Sequence, residues 1–467
     1  MTRLSQTGQG PSNWRLAAFA APALPLASAG VPLGIYLPPF YAQEAGLSLG
    51  LVGAIFMLSR IWDAVNDPLI GVLSDRTRSR FGRRKPWIAA GAPVFALAAL
   101  AIFAPGLFGV KPGAAWLAGW LFVFYLGWTM VQIPLSAWGG ELSTQYHQRS
   151  RIQTFGHVSA ALGLLTVLIL PVVLDWIAAR AGVEAATGLK TALMGGFVVA
   201  TLVPAVLLAL VFAPEPPVPS TPARRLTLRA AIAQLAGEPL LMKVLASDFA
   251  VTLGQSIRGS LFVFFVSAYM GRPDLAAGLF LLQFIFGVFA GPIWLKIGYR
   301  LGKHRTVVAG ELVQVAINLG LLFVVRGDLA LLIALTVAQG LAQGSGNLML
   351  RAIVADVADK QRLETGETRT GLFFSVFSLA GKAGPAVAIG VALPLVAAFG
   401  FQPGKPNSPD ALEALKWVFA LGPALAHAVS AVLIARFPLD EARHREIRAA
   451  LDRKDQPHSG GALAAAE

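Results

Sequence analysis

The segment Arg60-Ile-Trp62-Asp63-Ala-Val-Asn66-Asp67-Pro68 sets three ionisable groups inside an apolar run. At 3.6 residues per turn, Arg60, Asp63 and Asp67 share one helix face and Asn66 lies beside them. A charge in hydrocarbon costs at least ~2.5–3.5 kcal/mol on insertion scales, so each needs a reason to be there. Two carboxylates and an amide at this spacing make an oxygen cage for a monovalent cation. They can equally hold one proton, because two like charges so close do not both ionise freely. The plainer alternative is an ion network of Arg60, Asp63 and Asp67 that only packs helices, although one arginine does not neutralise two aspartates. Pro68 removes a backbone hydrogen bond and is expected to bend this helix. Two further charges, Arg258 and Lys382, stand in other apolar runs beside Gly259 and Gly381. Small neighbours allow close helix approach or leave room for a ligand. Arg258 reads as an anchor for an anionic solute or as a partner of Asp248. Lys382 reads as a site cation or as a partner of Asp63 or Asp67.

Such groups need long apolar helices to hold them. Of 467 residues, 55% are hydrophobic and 13% charged, with a mean hydropathy of +0.64. Soluble domains carry about 25% charged residues, so lipid must cover what charge does not. Twelve apolar stretches, from 16–43 to 412–436, each approach the ~20 residues needed to cross a bilayer. With the N-terminus inside, 28 of the 38 Lys and Arg fall on the cytoplasmic side and seven outside. That asymmetry is the positive-inside rule. It explains the pI near 10.3 without nucleic acid and places both termini in the cytoplasm. The polar stretch Met1 to Asn13 gives no expectation of a cleavable signal. Cysteine is absent, and the six histidines show no metal-ligand spacing. No nucleophile–base pair is visible and no Walker sequence exists, so neither an enzyme nor an ATP-driven machine is expected.

The expected organisation is a six-helix half at 1–213, a cytoplasmic linker at 214–239, a second six-helix half at 240–437 and a tail at 438–467. Arg224, Arg225 and Arg229 among Leu226, Leu228, Ile232 and Leu235 predict an amphipathic surface helix in the linker. The Gly/Ala-rich end of the tail is expected to be disordered. The halves echo one another. Gly71-Val-Leu-Ser-Asp75-Arg76 runs on to Arg80-Phe-Gly82-Arg83-Arg84, and Gly291 leads to Arg300-Leu-Gly302-Lys303-His304-Arg305. Repetition at one topological place marks transporters built from repeats. The first copy fits the loop signature of the major facilitator superfamily, in which Gly71, Asp75, Arg76, Arg83 and Arg84 would latch helix ends. Gly344-Ser-Gly346 is too short for a phosphate-binding fingerprint and reads as helix packing.

From Arg60 through Gly71, and on through Thr77-Arg-Ser-Arg-Phe-Gly-Arg-Arg-Lys-Pro-Trp87, the chain resembles the glycoside–pentoside–hexuronide:cation symporters, the melibiose permease-like family. The match extends back through Gly46-Leu-Ser-Leu-Gly-Leu-Val-Gly53, and weaker similarity covers most of the chain, including Glu141-Leu-Ser-Thr and Arg149. The resemblance implies an all-α integral membrane protein of the major facilitator fold, with twelve transmembrane helices in two pseudo-symmetric halves. It implies that Asp63, Asn66 and Asp67 bind the coupling cation, that Thr129 completes the site, and that Glu141 and Arg149 join the cytoplasmic gate. It also carries a lysine to Lys382. The family's sugar carboxylates correspond here to Ala27 and Gln132, an aromatic to Ser136, and an arginine to the neighbourhood of Gly156 or His157. The cation half is kept and the galactoside half replaced. Trp128 is placed to stack on a ring, with Arg60, Gln132, Arg258 and Lys382 as further substrate or coupling residues.

The expected function is symport of a small organic solute with Na⁺ or H⁺ by alternating access, most simply of a glycoside or uronide. Alternatives are an amphipathic organic anion or lysolipid, and a non-transporting receptor of the same fold. The neutral oxygens of Asn66 and Thr129 favour Na⁺. The partners are then the solute, the cation and the lipid of an inner membrane, with no cofactor, for a monomeric chain.

Overall fold

The computed structural model describes residues 12–142, 146–183, 186–213, 237–366 and 370–455. The expected linker helix near 224–235 and the end of the tail lie outside these residues, as does the side chain of Arg149. Among the described residues the regular structure is helical, and twelve helices are long and apolar enough to cross a membrane. They are α1 (Asn13–Gln43), α2 (Leu49–Arg76), α3 (Lys85–Phe103), α4 (Ala114–Gly139), α5 (Arg151–Arg180) and α6 (Thr187–Phe212). Then follow α7 (Pro239–Tyr269), α8 (Pro273–Leu301), α9 (Lys303–Phe323), α10 (Leu329–Thr365), α11 (Leu372–Ala398) and α12 (Pro409–Ile434). The protein is an integral membrane protein.

Helix α2 shows how this pattern positions chemistry. Leu58, Ile61, Val65, Leu69 and Val72 recur at three- and four-residue steps and are exposed, which is the face that lipid wets. The opposite face buries Ser59, Asp63, Asn66 and Ser74. A soluble helix would do the reverse. Pro68 sits inside α2, which runs on as one helix to Arg76.

Contact clustering separates two compact units. The first comprises the described parts of Met1–Ala223 with Gly259–Leu281 and Ile389–Leu415; the second comprises those of Arg224–Arg258, Leu282–Ala388 and Lys416–Glu467. In the first unit, α4 packs against α2 and α3. Glycine makes the α3–α4 approach possible. A Cβ on Gly127 would stand 2.5 Å from the Phe95 backbone nitrogen, and one on Gly91 would stand 2.6 Å from Met130 Cβ. Gly127→Ala is expected to lower stability by about 1–3 kcal/mol, the usual cost of overpacking. Gly119, whose Cβ position is open, supplies the control. Thermal melting of the purified protein checks the difference: Gly119→Ala should leave the midpoint close to wild type and Gly127→Ala should lower it. At the start of α2, a Cβ on Gly53 would stand 2.9 Å from the carbonyl oxygen of Ile389 on α11.

In the second unit α10 is not a continuous helix. Its first segment ends at Ala342, Gln343 is extended, Gly344 takes φ 84°, and a second segment starts at Ser345. Only glycine adopts that backbone without strain. Irregular backbone at membrane depth is tolerated where it lines a cavity or is enclosed by protein. The span continues to Thr365.

The tail also holds more structure than its charge suggested. Helix α13 (Glu441–Asp455) buries Ile447 and Leu451, with Leu439 just before it, in a cluster that includes Val354, Val357 and Phe377. Its polar residues grip the end of α10: Arg448 reaches Asp359 and Lys454 donates to the carbonyl of Leu363.

Candidate functional site

The buried face of α2 meets α4 at one residue. Thr129 is fully buried, and its hydroxyl lies 3.2 Å from Asp63 Oδ1 and 3.1 Å from Asp67 Oδ1. Asn66 is buried on the same helix, with its amide nitrogen lacking a hydrogen-bond partner. The hydroxyl has one proton and so can fully satisfy only one carboxylate at a time. An added positive charge, Na⁺ or a proton, would offset the repulsion between the two acids. Arg60 lies one turn away with its guanidinium 5.1 Å from the centroid of the Tyr125 ring. That placement gives its charge the face of a π-system. Trp62 donates to the Phe122 carbonyl at 3.2 Å, fixing α2 against α4 at this level.

On α4, one face carries the remaining first-unit candidates. Trp128 packs against Phe95 and Phe124, and its indole N–H donates to Gln132 Oε1. Gly30 on α1 faces the rim of the Trp128 ring. The aromatic and the amide act as one unit, one turn from Thr129 or less.

The second unit contains a cavity of about 670 Å³ that borders Asp248, Thr252, Gln343, Asn347, Arg351 and Ser378, among others. Asn347 joins two residues of α7: its amide nitrogen lies 3.4 Å from Asp248 Oδ1, and its oxygen accepts from Gln255 Nε2 at 3.1 Å. The break in α10 aims this set, because Gln343 and Gly344 line the cavity and Asn347 and Arg351 follow at helical spacing. An acid, a base and several amides in one cavity suit a solute rich in hydroxyls. Sequence reading missed most of these residues. Their signal was present: Gln343, Asn347 and Arg351 repeat every four residues in an apolar stretch.

Arg258 is not among the residues lining that cavity. It is 3% exposed, donates to Asn318 Oδ1 at 2.9 Å and lies 5.3 Å from the Phe419 ring centroid. Asp248, offered above as its partner, bonds to Asn347 instead. Lys382 is half-buried on α11, beside the Gly381 that borders the cavity.

The loop signature forms a charge cluster at one end of the first unit. Arg84 is enclosed by Asp75 and Glu141, each at 2.6 Å, and donates to Ser74 Oγ at 2.8 Å. Arg83 joins Glu141 at 3.1 Å. Burial alone would lower the pKa of Arg84, but the hydrogen bonds and charges of Glu141 and Asp75 outweigh it and hold the group above its ordinary value. Gly71 faces Ile133 of α4 and Arg76 is exposed. The second unit repeats the device: Lys303, at the start of α9, holds Asp356 of α10 at 2.7 Å, and His444 of the tail joins it at 3.2 Å.

Twelve spans and latches at matching places in each half define a transporter of the major facilitator class. Residues 18–441 match the family model described as MFS/sugar transport protein. The chain belongs to that family, the glycoside–pentoside–hexuronide group, and is a transporter, not an enzyme. It is 27% identical to an uncharacterized symporter of Synechocystis sp. over 91% of this chain and 94% of the relative. It is 24% identical to the isoprimeverose transporter of Lactiplantibacillus pentosus, over 87% of this chain and 84% of that one. Among solved structures, a mutant of the nucleoside transporter NupG superposes with a TM-score of 0.67 at 11% identity, covering 90% of this chain and all of the other. At that identity the likeness concerns the fold alone.

Proposed function

We propose that the protein is a cation-coupled symporter that carries a glycoside or hexuronide across the inner membrane as a monomer, with both termini cytoplasmic. The observation that carries this reading is the Thr129 hydroxyl shared between two carboxylates on the buried face of α2. In this account Asp63, Asn66, Asp67 and Thr129 hold the coupling ion, and the neutral oxygens favour Na⁺ over H⁺. The family's sugar description and the isoprimeverose-carrying relative support a saccharide solute. Asp248 receives sugar hydroxyls. Arg351 faces the carboxylate of a uronide, for which a planar guanidinium offers two parallel donors. Arg60 and Lys382 serve coupling, and the Arg84–Glu141 cluster with Asp75 and Arg149 latches the cytoplasmic end.

A thermal-shift screen of glycosides, uronides and lysolipids, each with and without Na⁺, tests the reading. A saccharide that stabilises the protein, and does so more with Na⁺ present, is the expected result. Stabilisation by lysolipids alone would replace it with the lipid reading.

A further inference from the structure

The second unit buries an ionisable pair for which the symport reading has no use. Glu311 of α9 and His427 of α12 are 0% and 1% exposed, and the imidazole Nδ1 lies 2.6 Å from the carboxylate Oε2. Both lie inside spans, about two turns or more from either end of α9 and of α12. A pair kept only for packing would be expected to satisfy its remaining polar atoms, since a partly satisfied buried pair is costly. This one does not: Glu311 Oε1 and His427 Nε2 have no hydrogen-bond partner.

Glycine backbone leaves both unpartnered atoms clear. A Cβ on Gly346 would stand 2.3 Å from Glu311 Oε1, and one on Gly254 would stand 3.1 Å from His427 Nε2. Gly346 is the second residue of the helical segment that restarts after the break in α10. Its first turn has uncommitted N–H groups and partial positive charge. The next residue is Asn347, which reaches Asp248 at the cavity. The pair and the cavity are thus held by the same break.

The charged groups around the pair are few. On the cavity side stand Asp248 of α7 and Arg351 of α10, with Lys382 on α11. Toward the other end of α7 is Arg258, bound to Asn318, two turns along α9 from Glu311. Between them α9 presents the buried amide Gln314. Protonation of His427 changes the net charge of this interior by one unit.

We propose that Glu311 and His427 form a proton-binding site, separate from the carboxylates of α2. The arriving proton completes the imidazolium, which donates through Nδ1–H to Glu311 Oε2, and on release the imidazole returns to neutral. Histidine is the side chain whose ordinary titration falls near physiological pH. The site does not depend on which solute is carried.

The test needs no substrate. Histidine nitrogen NMR on the full-length protein in lipid nanodiscs follows His427 from about pH 5 to 9, its signal assigned by its loss in His427→Gln. The expected result is a single titration, unchanged in Asp63→Asn, whose midpoint falls by about one pH unit or more in Glu311→Gln, a tenfold or greater loss of proton affinity. A His427 signal that stays constant over this range in the wild type overturns the proposal, and that outcome needs no folded variant. So does a titration that is the same in Glu311→Gln as in the wild type. Should Glu311→Gln fail to fold, Glu311→Asp takes its place: a shifted midpoint supports the site and an identical one overturns it.

Discussion

Asp63→Asn is expected to abolish uphill accumulation of solute while leaving binding or exchange in place. The same result is expected for Asp67→Asn. Asparagine keeps the shape and still accepts from Thr129, so the α2–α4 contact survives. What disappears is the negative charge that balances a cation in a low-dielectric site, where a bare charge costs several kcal/mol. Without bound cation the gradient has nothing to act on, and transport can only equilibrate. Paired measurements check this: uptake against a gradient in vesicles should fall to equilibration, and counterflow of solute should persist. Thr129→Val gives a graded control. It removes one neutral oxygen and should weaken the ion without erasing coupling. Accumulation by both aspartate variants at wild-type levels would remove the ion from α2.

The second large effect belongs to the cavity of the other unit. Asp248→Asn and Arg351→Gln each remove an ionisable partner from the wall that contains Gln343 and Asn347. Hydrogen bonds to charged groups contribute about 1.5–3 kcal/mol, so each change should weaken solute binding roughly ten- to a hundredfold. The two should differ in what they discriminate. Arg351→Gln is expected to cost uronides more than neutral glycosides, because it removes the group facing the carboxylate. Asp248→Asn should weaken both alike. Arg258→Lys should change solute affinity little, since Arg258 lies outside the cavity lining. Equilibrium binding of a matched glycoside and its uronic acid would separate these cases. Equal losses for the two solutes in Arg351→Gln would count against an arginine–carboxylate contact.

These expectations depend on features of unequal visibility in the sequence. The face of α2 was legible because helical spacing alone brings Asp63, Asn66 and Asp67 together, and lipid exposure of Leu58, Ile61 and Val65 follows from the same period. Thr129 was not legible from spacing. It lies on another helix, and only the family resemblance pointed to it. The latch residues Asp75 and Arg84 were visible as a motif and Glu141 through the family resemblance, though nothing local to the sequence says that Arg84 sits between both acids. The break in α10 was misread as simple helix packing: Gly344-Ser-Gly346 looks the same whether glycine serves close approach or, as at Gly344, a left-handed turn. Glu311 and His427 were invisible as a pair, since they stand on different helices and no local spacing relates them. Helix α13 went unread because its charge hides Ile447 and Leu451, with Leu439 just before it.

The central claim is that the α2–α4 site couples an ion to a sugar. Its most direct test is uptake of a labelled glycoside or uronide that passed the thermal-shift screen, into vesicles holding the purified protein. An inward Na⁺ gradient is imposed at constant pH. Reciprocity requires that Na⁺ tighten the sugar by the factor by which the sugar tightens Na⁺. Accumulation above the outside concentration that rises with Na⁺, and is lost in Asp63→Asn, is the expected result. Uptake that only equilibrates under every Na⁺ and pH gradient, for a solute the protein demonstrably binds, would contradict the account.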